Sequence, residues 1–557
     1  MRGLFASIVL VALAYGRTLG FGFARSREER LAEAVGLIDL AGIWNGVFMD
    51  LSRLTDGVEG FSPLWRPTLN VAYLVAGWLS GGEAWGFRLV AMIVLVVIGW
   101  RARLMVGKKQ GRDLVLCLIV FHPMMSAAVI DISAMPSLLF ALGAVMAVTT
   151  TGKRAFWWTL FAMGAHEAAA IIPAIALCFR RDAKGAIRPP DRVRWPLVAV
   201  GSWWALAILL RGSGFLHDVA LSIPHGESAR LSAANMWFYM GRLLMPMDPV
   251  FARSAPQHLE PWPAFAWVGL LVILWMVARL ERPRVDPIGP GFAAGFSSVV
   301  LALLAAGGLL SEVPGYGEGR LALPIVGVAW MLASRPTGRM AAWTLVPTFF
   351  ALTMMRVGVW ANADDLWAES HRAQPQDTMV SLEYGKRIQT SKPALAVGLF
   401  EHVLADDAEG RRQWEAHVGS VHAWLALGAD HRALPHLARV ADPNDEENSW
   451  LLVRRCLLET RFGYDERDYG AGVVLYPLAR VCGEAAERYP QDARLANAAG
   501  VEAAVRGDFA RARKFLQRAV ELDPHSAEIR RNFSHIPMNV AGWVNDEPIS
   551  PDPAAAP

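Results

Sequence analysis

Charge is distributed along this chain in two regimes, and that division limits the fold more than any other feature. Up to about residue 360, Lys, Arg, Asp and Glu are gathered into short islands between apolar runs; after about 361 they become dense and regular. The runs fall near 3–23, 84–100, 113–123, 134–150, 155–178, 193–211, 262–280, 288–310, 320–334 and 340–359, with two less distinct ones at 67–82 and 231–247. Hydrocarbon offers no partners to backbone N–H and C=O groups, so spanning segments must satisfy their own, and helices do this. Several runs are short against the ~20 residues a bilayer requires. The expectation is an all-α chain: a polytopic membrane helical domain over 1–360, with about 11 spans including short broken ones, then a soluble helical domain over 361–540 and a disordered tail over 541–557. A composition that is 54% hydrophobic, with 22 Trp and 20 Met, agrees with this division. The net charge of +3 is too small to indicate a nucleic-acid partner.

The basic residues act instead as topology signals. Arg101, Arg103, Lys108, Lys109 and Arg112 form one island, Lys153 and Arg154 a second, and Arg180, Arg181, Lys184, Arg188, Arg192 and Arg194 the strongest. Arg282 with Arg284 and Arg335 with Arg339 complete the set. Positive-inside placement puts them all in the cytoplasm. Lys153/Arg154 and Arg180/Arg181 then share a side, although a single apolar run separates them. Two half-helices meeting at a turn reconcile the two, and Met163-Gly164-Ala165-His166-Glu167 is the turn expected, since the charge inside the run stands there after a glycine. Non-helical backbone at that depth is tolerated only in protein or beside a wet cavity, so His166 and Glu167 are candidate functional groups. The same parity makes 24–83 and 212–261 outer loops and leaves the tail extracytoplasmic. The N-terminal run is read as a retained span rather than a removed signal peptide.

The four cysteines have no metal-ligand spacing, so no metal is expected. Cys117 and Cys178 sit in apolar runs as small core residues; Cys456 and Cys482 can pair if the tail is extracytoplasmic. That tail repeats at 34 residues: Gly385 and Gly419 are 34 apart, and so are Pro490 and Pro524. In the unit beginning at Ala493, small residues Gly500, Ala512 and Ala519 would let two antiparallel helices approach, and Pro524 would stop the second. This is the tetratricopeptide pattern, with Ala496 where tryptophan is common and Leu516 where phenylalanine is. About four helix pairs would stack into a short α-solenoid that holds a protein partner or, alternatively, merely caps the membrane domain.

Taken together these parts resemble the transmembrane and tetratricopeptide-repeat proteins, among them O-mannosyltransferases, built on the GT-C glycosyltransferase fold. The stretches that carry the resemblance run in order: SPLWRPTLNVAYLVAGW (63–79), FHP (121–123), GAHEAAAIIP (164–173), RLLMPMDP (242–249), EGRLALPIVGVAWML (318–332) and DDLWAES (364–370). The resemblance implies transfer of a sugar from a polyprenyl-phosphate-linked donor to an acceptor outside the cytoplasm. It implies a carboxylate base from the first outer loop and basic groups against the lipid phosphate. The family's acidic pair falls here on Ser26 and Arg27, neither of which can be the base. Glu28 or Glu29 takes that role if the loop shifts by one or two residues, with Glu167 the further catalytic candidate. Arg66, His122, His166, Glu318 and Arg320 are the substrate-binding candidates, and Asp131 is an additional carboxylate. Other departures are Met125 and Ala127 where a His and a Glu are common, His166 for a lysine, and Gly319 for an arginine. Membrane lipid, a lipid-linked sugar and a protein bound by the repeats are the expected partners, in a bacterial inner membrane. The alternative is an inactive scaffold on the same fold that assembles protein partners through its repeats. A transporter would show paired inverted repeats, and no internal symmetry is visible.

Overall fold

The computed structural model describes residues 2–23, 66–106, 109–178, 191–211, 316–334, 336–405, 411–440, 481–505 and 507–536, with single positions at Glu28, Glu29, Leu31, Ala32, Val35, Tyr239, Gly241, Arg242, Leu243, Ala252, Arg253, Val299, Leu451, Arg454, Arg455, Cys456 and Leu458. The described residues are helical apart from turns and one short ladder, in which Ala252–Arg253 pairs antiparallel with Tyr316–Gly317. The apolar run expected at 262–280, all but Val299 of the run at 288–310, Arg180, Arg181, Lys184, Arg188, most of the 212–261 loop and the 541–557 tail lie outside the described residues. The chain forms two compact units, Met1–Val380 and Ser381–Pro557.

Among the described residues of the first unit, three helical stretches are long and apolar enough to cross a membrane: Gly3–Gly20, Ile132–Thr149 and Ala342–Val359. They differ in how much protein surrounds them. The middle one is 78% buried, whereas the outer two are 28% buried and turn apolar surface outward. The helix Met135–Thr149 is therefore the centre of the unit. It packs on Ala84–Ala102, Lys153–Met163 and Ala322–Ser334. Its approach to Lys153–Met163 depends on Gly143: a Cβ there would come within 2.5 Å of Ala162 Cβ and 3.0 Å of the Trp158 carbonyl oxygen. The reversal between these helices passes through Gly152 at φ +61°, a conformation that glycine adopts without penalty.

Two helices break inside their apolar runs, and in both the freed backbone groups find partners. Lys109–Phe121 stops because Pro123 lacks an N–H and its ring blocks the preceding turn. The carbonyls of Val120 and Phe121 accept instead from Tyr15 Oη at 2.8 Å and Thr353 Oγ1 at 2.7 Å. The second break follows Lys153–Met163: Gly164 and Ala165 form a turn, a 3-10 helix covers Glu167–Ile171, and an α-helix resumes over Ile172–Cys178. Here the N-terminus of Pro67–Ser80 supplies the donors, with Thr68 and Leu69 N–H reaching the Gly164 carbonyl at 2.9 and 3.3 Å.

In the second unit, consecutive helices pack on one another: Pro393–Ala405 on Arg411–Ala426, that helix on Asp430–Val440, then Val481–Arg488 on Ala493–Val505 and Ala493–Val505 on Phe509–Leu522. The two glycines 34 residues apart enclose one ring. A Cβ on Gly385 would stand 2.7 Å from Phe400, and one on Gly419 2.4 Å from it. Gly500 faces Leu516 as closely, 2.4 Å from Cγ. Asp492 starts its helix by accepting from the N–H groups of Arg494 and Leu495 at 2.8 and 3.1 Å. Cys456 and Cys482 form a disulfide with Cα atoms 5.2 Å apart, inside a cluster with Leu495, Ala499 and Phe515.

Candidate functional site

The second helix break positions the site. His166 is extended (φ −159°, ψ 131°) and is the N-cap of the short 3-10 helix, its Nδ1 accepting from Ala168 N–H at 3.1 Å. That bond fixes the neutral tautomer with the proton on Nε2. Nδ1 also lies 3.7 Å from Glu167 Oε2. Because its lone pair is already used, this approach is not an ion pair. Glu167 is turned the other way, onto Arg66. Arg66 Nε donates to Oε2 at 3.1 Å, and Nη2 donates to Oε1 at 2.9 Å and to Oε2 at 2.7 Å. This forked pair joins residues 101 apart in sequence, with side chains only 13% and 18% exposed. Arg66 is itself the N-cap of Pro67–Ser80, the helix whose first N–H groups hold Gly164. One short segment thus caps the turn and neutralises the acid beside it. Arg320, in the 3-10 turn Glu318–Leu321, lies within electrostatic reach of His166.

A second buried charge group adjoins the first. Tyr73, about two turns further along the Arg66 helix, feels Arg66, Asp131 and Glu28, and its hydroxyl donates to the Ile132 carbonyl at 2.9 Å. Asp131 caps the 3-10 turn Ile132–Ala134 through Ser133 N–H at 2.9 Å and Ser133 Oγ at 2.5 Å. Glu28 and Asp131 both act on Arg88. The structure separates the two glutamates of the opening loop: Glu28 is buried, at 1% exposure, and Glu29 is exposed. Ser26 and Arg27, where the resemblance puts the acidic pair, lie outside the described residues.

His122 belongs to different surroundings. Its Nε2 donates to the Leu243 carbonyl at 3.3 Å, its Nδ1 accepts from Met124 N–H at 3.3 Å, and its ring packs edge-on against Phe349. Both ring nitrogens are committed to backbone at the first helix break, with Arg356 the neighbouring charge. Arg66, Glu167 and His166 are therefore brought together by direct contacts, Arg320 acts on His166 and Glu28 on Tyr73 through charge alone, and His122 lies in other surroundings.

Arg88 is the residue that the motif reading passed over. It is 1% exposed and surrounded by carbonyl oxygens: Nη1 donates to Thr18 at 3.0 Å and to Phe21, Nη2 to Gly22 at 2.5 Å, and Nε to Ile130 at 3.4 Å. A signal was present in the sequence, since Arg88 is the single charge inside the run at 84–100, and such a charge inside a span needs partners. Among the described residues, no group of three or more His, Cys, Asp or Glu side chains could hold a metal ion. No family model matches this chain, and no curated protein matches it either.

Proposed function

We propose that this chain is a multi-pass membrane protein of the GT-C type whose C-terminal helices form an extracytoplasmic tetratricopeptide-like solenoid, and that its membrane half transfers a sugar from a polyprenyl-phosphate donor to a hydroxyl acceptor. Two observations support the membrane setting. Phe5, Trp78, Leu209, Met340 and Met355 are each between 68% and 80% exposed, a surface that water would penalise and lipid would cover. The Cys456–Cys482 disulfide suits an oxidising compartment for the tail, on the side to which the charge islands direct it.

The observation that carries the catalytic reading is the burial of Glu28, a carboxylate whose charge acts on Arg88 and Tyr73, where Tyr73 is also under the influence of Arg66. Glu167 has both oxygens on Arg66, so it serves to hold that cation rather than to take a proton. Glu28 is then the base. The acceptor oxygen attacks the anomeric carbon as its proton passes to the Glu28 carboxylate. The bond from the anomeric carbon to the phosphate oxygen breaks, and its electron pair leaves with the lipid phosphate, whose charge Arg66 and Arg320 offset. Loss of a general base costs about 10²–10⁴-fold. In membranes supplied with radiolabelled mannosyl-phospho-undecaprenol, Glu28→Gln should therefore lower transfer by about that factor, and by more than Glu29→Gln does. Equal effects of the two substitutions would reject Glu28 as the base.

A second reading has its own support. The family's acidic pair is replaced by Ser26 and Arg27, and Glu167 is already neutralised, as in a fold kept for assembly rather than chemistry. Absence of transfer in wild-type membranes with mannosyl, glucosyl and N-acetylglucosaminyl donors, together with a partner that co-purifies only when the helices after 381 are present, would establish the scaffold.

A further inference from the structure

At one end of the first unit several helix ends meet, and arginine is gathered there. Ala84–Ala102 ends among Arg101 and Arg103, and Trp330 Nε1 donates to the Ala102 carbonyl at 2.8 Å, which ties Ala322–Ser334 to the same place. Lys109–Phe121 starts beside them. Arg112 Nε donates to the Val106 carbonyl at 2.9 Å, and a Cβ on Gly111 would stand 3.1 Å from the Ala333 carbonyl oxygen and 3.8 Å from Arg339 Cδ. Arg101 Nη2 reaches Thr149 Oγ1 at 3.4 Å, where Met135–Thr149 ends and the chain turns into the exposed Lys153 and Arg154. The protein does not answer these guanidiniums as it answers Arg66, which holds both oxygens of Glu167, or Arg88, which holds the carbonyls of Thr18, Phe21, Gly22 and Ile130. Arg103 Nη2 stands 3.8 Å from Asp113 Oδ1, too far for a hydrogen bond, and its Nε is buried with no acceptor. Arg101 Nε is likewise buried with no acceptor. Guanidiniums in that state favour an oxyanion that brings several acceptors at once.

The surface beside them selects the kind of oxyanion. Leu104 follows Arg103, Met340 follows Arg339 with Trp343 a turn further on, and Trp157 lies one turn beyond Lys153; all four apolar side chains are exposed. Cations at the helix ends with exposed apolar groups one turn inward match a headgroup lying above acyl chains. A free phosphate would leave that apolar surface in water. We propose that this end of the first unit binds the phosphate of an anionic phospholipid, held by Arg101, Arg103 and Arg112 with Lys153 and Arg154 at the rim, and with the neighbouring apolar side chains against its acyl chains. The site rests on the membrane setting proposed above, and neither on sugar transfer nor on Glu28.

The test places the full chain in nanodiscs of equal parts phosphatidylcholine and phosphatidylglycerol with matched acyl chains, and native mass spectrometry then counts each lipid retained on the protein. A basic residue at the headgroups is worth about fivefold in preference for an anionic lipid. Wild type should therefore retain phosphatidylglycerol over phosphatidylcholine by at least about fivefold. Reconstitution in salt that shortens the screening length to ~3 Å should remove most of that preference. Arg103→Gln with Arg112→Gln should lower the ratio about fivefold or more, whereas Arg103→Lys with Arg112→Lys, which keeps both charges, should stay within about threefold of wild type. Arg372→Gln, at an exposed arginine beyond the far end of Pro336–Val359, should leave the ratio unchanged. Equal retention of the two lipids by wild type, or a ratio unaltered by the paired Gln changes, overturns the proposal. Should that variant fail to accumulate, Lys153→Gln with Arg154→Gln, which alters exposed side chains alone, must lower the ratio at least about twofold; an unchanged ratio overturns the proposal as well. Release of the wild type from membranes by alkaline carbonate without detergent would reject the membrane setting and this site with it. A protein that stays in the membrane but holds both lipids equally rejects the site alone.

Discussion

At the scale of single residues, the histidines of the second unit show how burial sets a charge state without any motif. His417 Nδ1 and His436 Nδ1 are 2.9 Å apart, so one nitrogen must carry a hydrogen and the other a lone pair. The two rings come from Arg411–Ala426 and Asp430–Val440, with centroids 5.1 Å apart. Burial lowers His417 to about 4, helped by His436 and Arg439; burial and Arg439 lower His436 to about 4. Lys386 is the opposite case: burial works against its charge, but Glu383 and Glu415 overcome it and the ammonium is raised. For the histidine pair the folded state binds protons less readily than the unfolded chain. Its contribution is therefore complete above about 6.5 and is lost as the pH falls toward about 4. Protection from hydrogen exchange across 411–440 in the full chain, taken relative to the intrinsic exchange rate at each pH, should be lower at pH 5 than at pH 7.5, and His436→Leu should remove at least about half of that difference. An unchanged pH response in that variant would separate the effect from the pair.

At the scale of elements, close helix approaches were written into the sequence as missing volume, and long-range pairings were not. Gly385 and Gly419 could be picked out by their spacing because a glycine at a helix crossing admits a neighbour's ring, here Phe400. Gly419→Ala puts a methyl group where the Phe400 ring lies and should cost about 1–3 kcal/mol; Phe400→Leu alone leaves a gap. The two changes share one site, so the double variant should be less destabilised than the sum of the singles in denaturant unfolding, and strict additivity would show that the crossing relaxes elsewhere. The turn at Gly164 was legible for a similar reason, since a glycine followed by His166 and Glu167 interrupts an apolar run, and the chain does leave the helix there. What no local pattern could supply is the partner. Arg66 and Glu167 are far apart in sequence, and Arg88 meets the carbonyls of Thr18 and Ile130 only because three helices converge. Glu28 and Glu29 look equivalent as neighbours in a loop, yet the first is buried and the second exposed.

At the scale of the whole molecule, two independent kinds of chemistry address the same question of compartment. The islands of Arg and Lys bear on which loops stay in the cytoplasm, and the proposed extracytoplasmic placement of the tail follows from counting runs between them. The disulfide concerns redox environment: Cys456 and Cys482, 26 residues apart, are joined and buried together in an apolar cluster, a bond more common in oxidising compartments than in the cytosol. An error in the count of spans would leave the second argument untouched. The bond also has a mechanical meaning, because it closes a loop of chain between positions 26 residues apart. Chain entropy for a loop of this size corresponds to about 3.5 kcal/mol. Cys456→Ala with Cys482→Ala should lower the stability of the second unit by about that amount, read as increased proteolysis of the full-length protein at 37 °C. Protease added to intact spheroplasts should reach that unit, and more rapidly in the double variant. Protection of the unit until the membrane is opened would place the tail in the cytoplasm and reverse the orientation of every span.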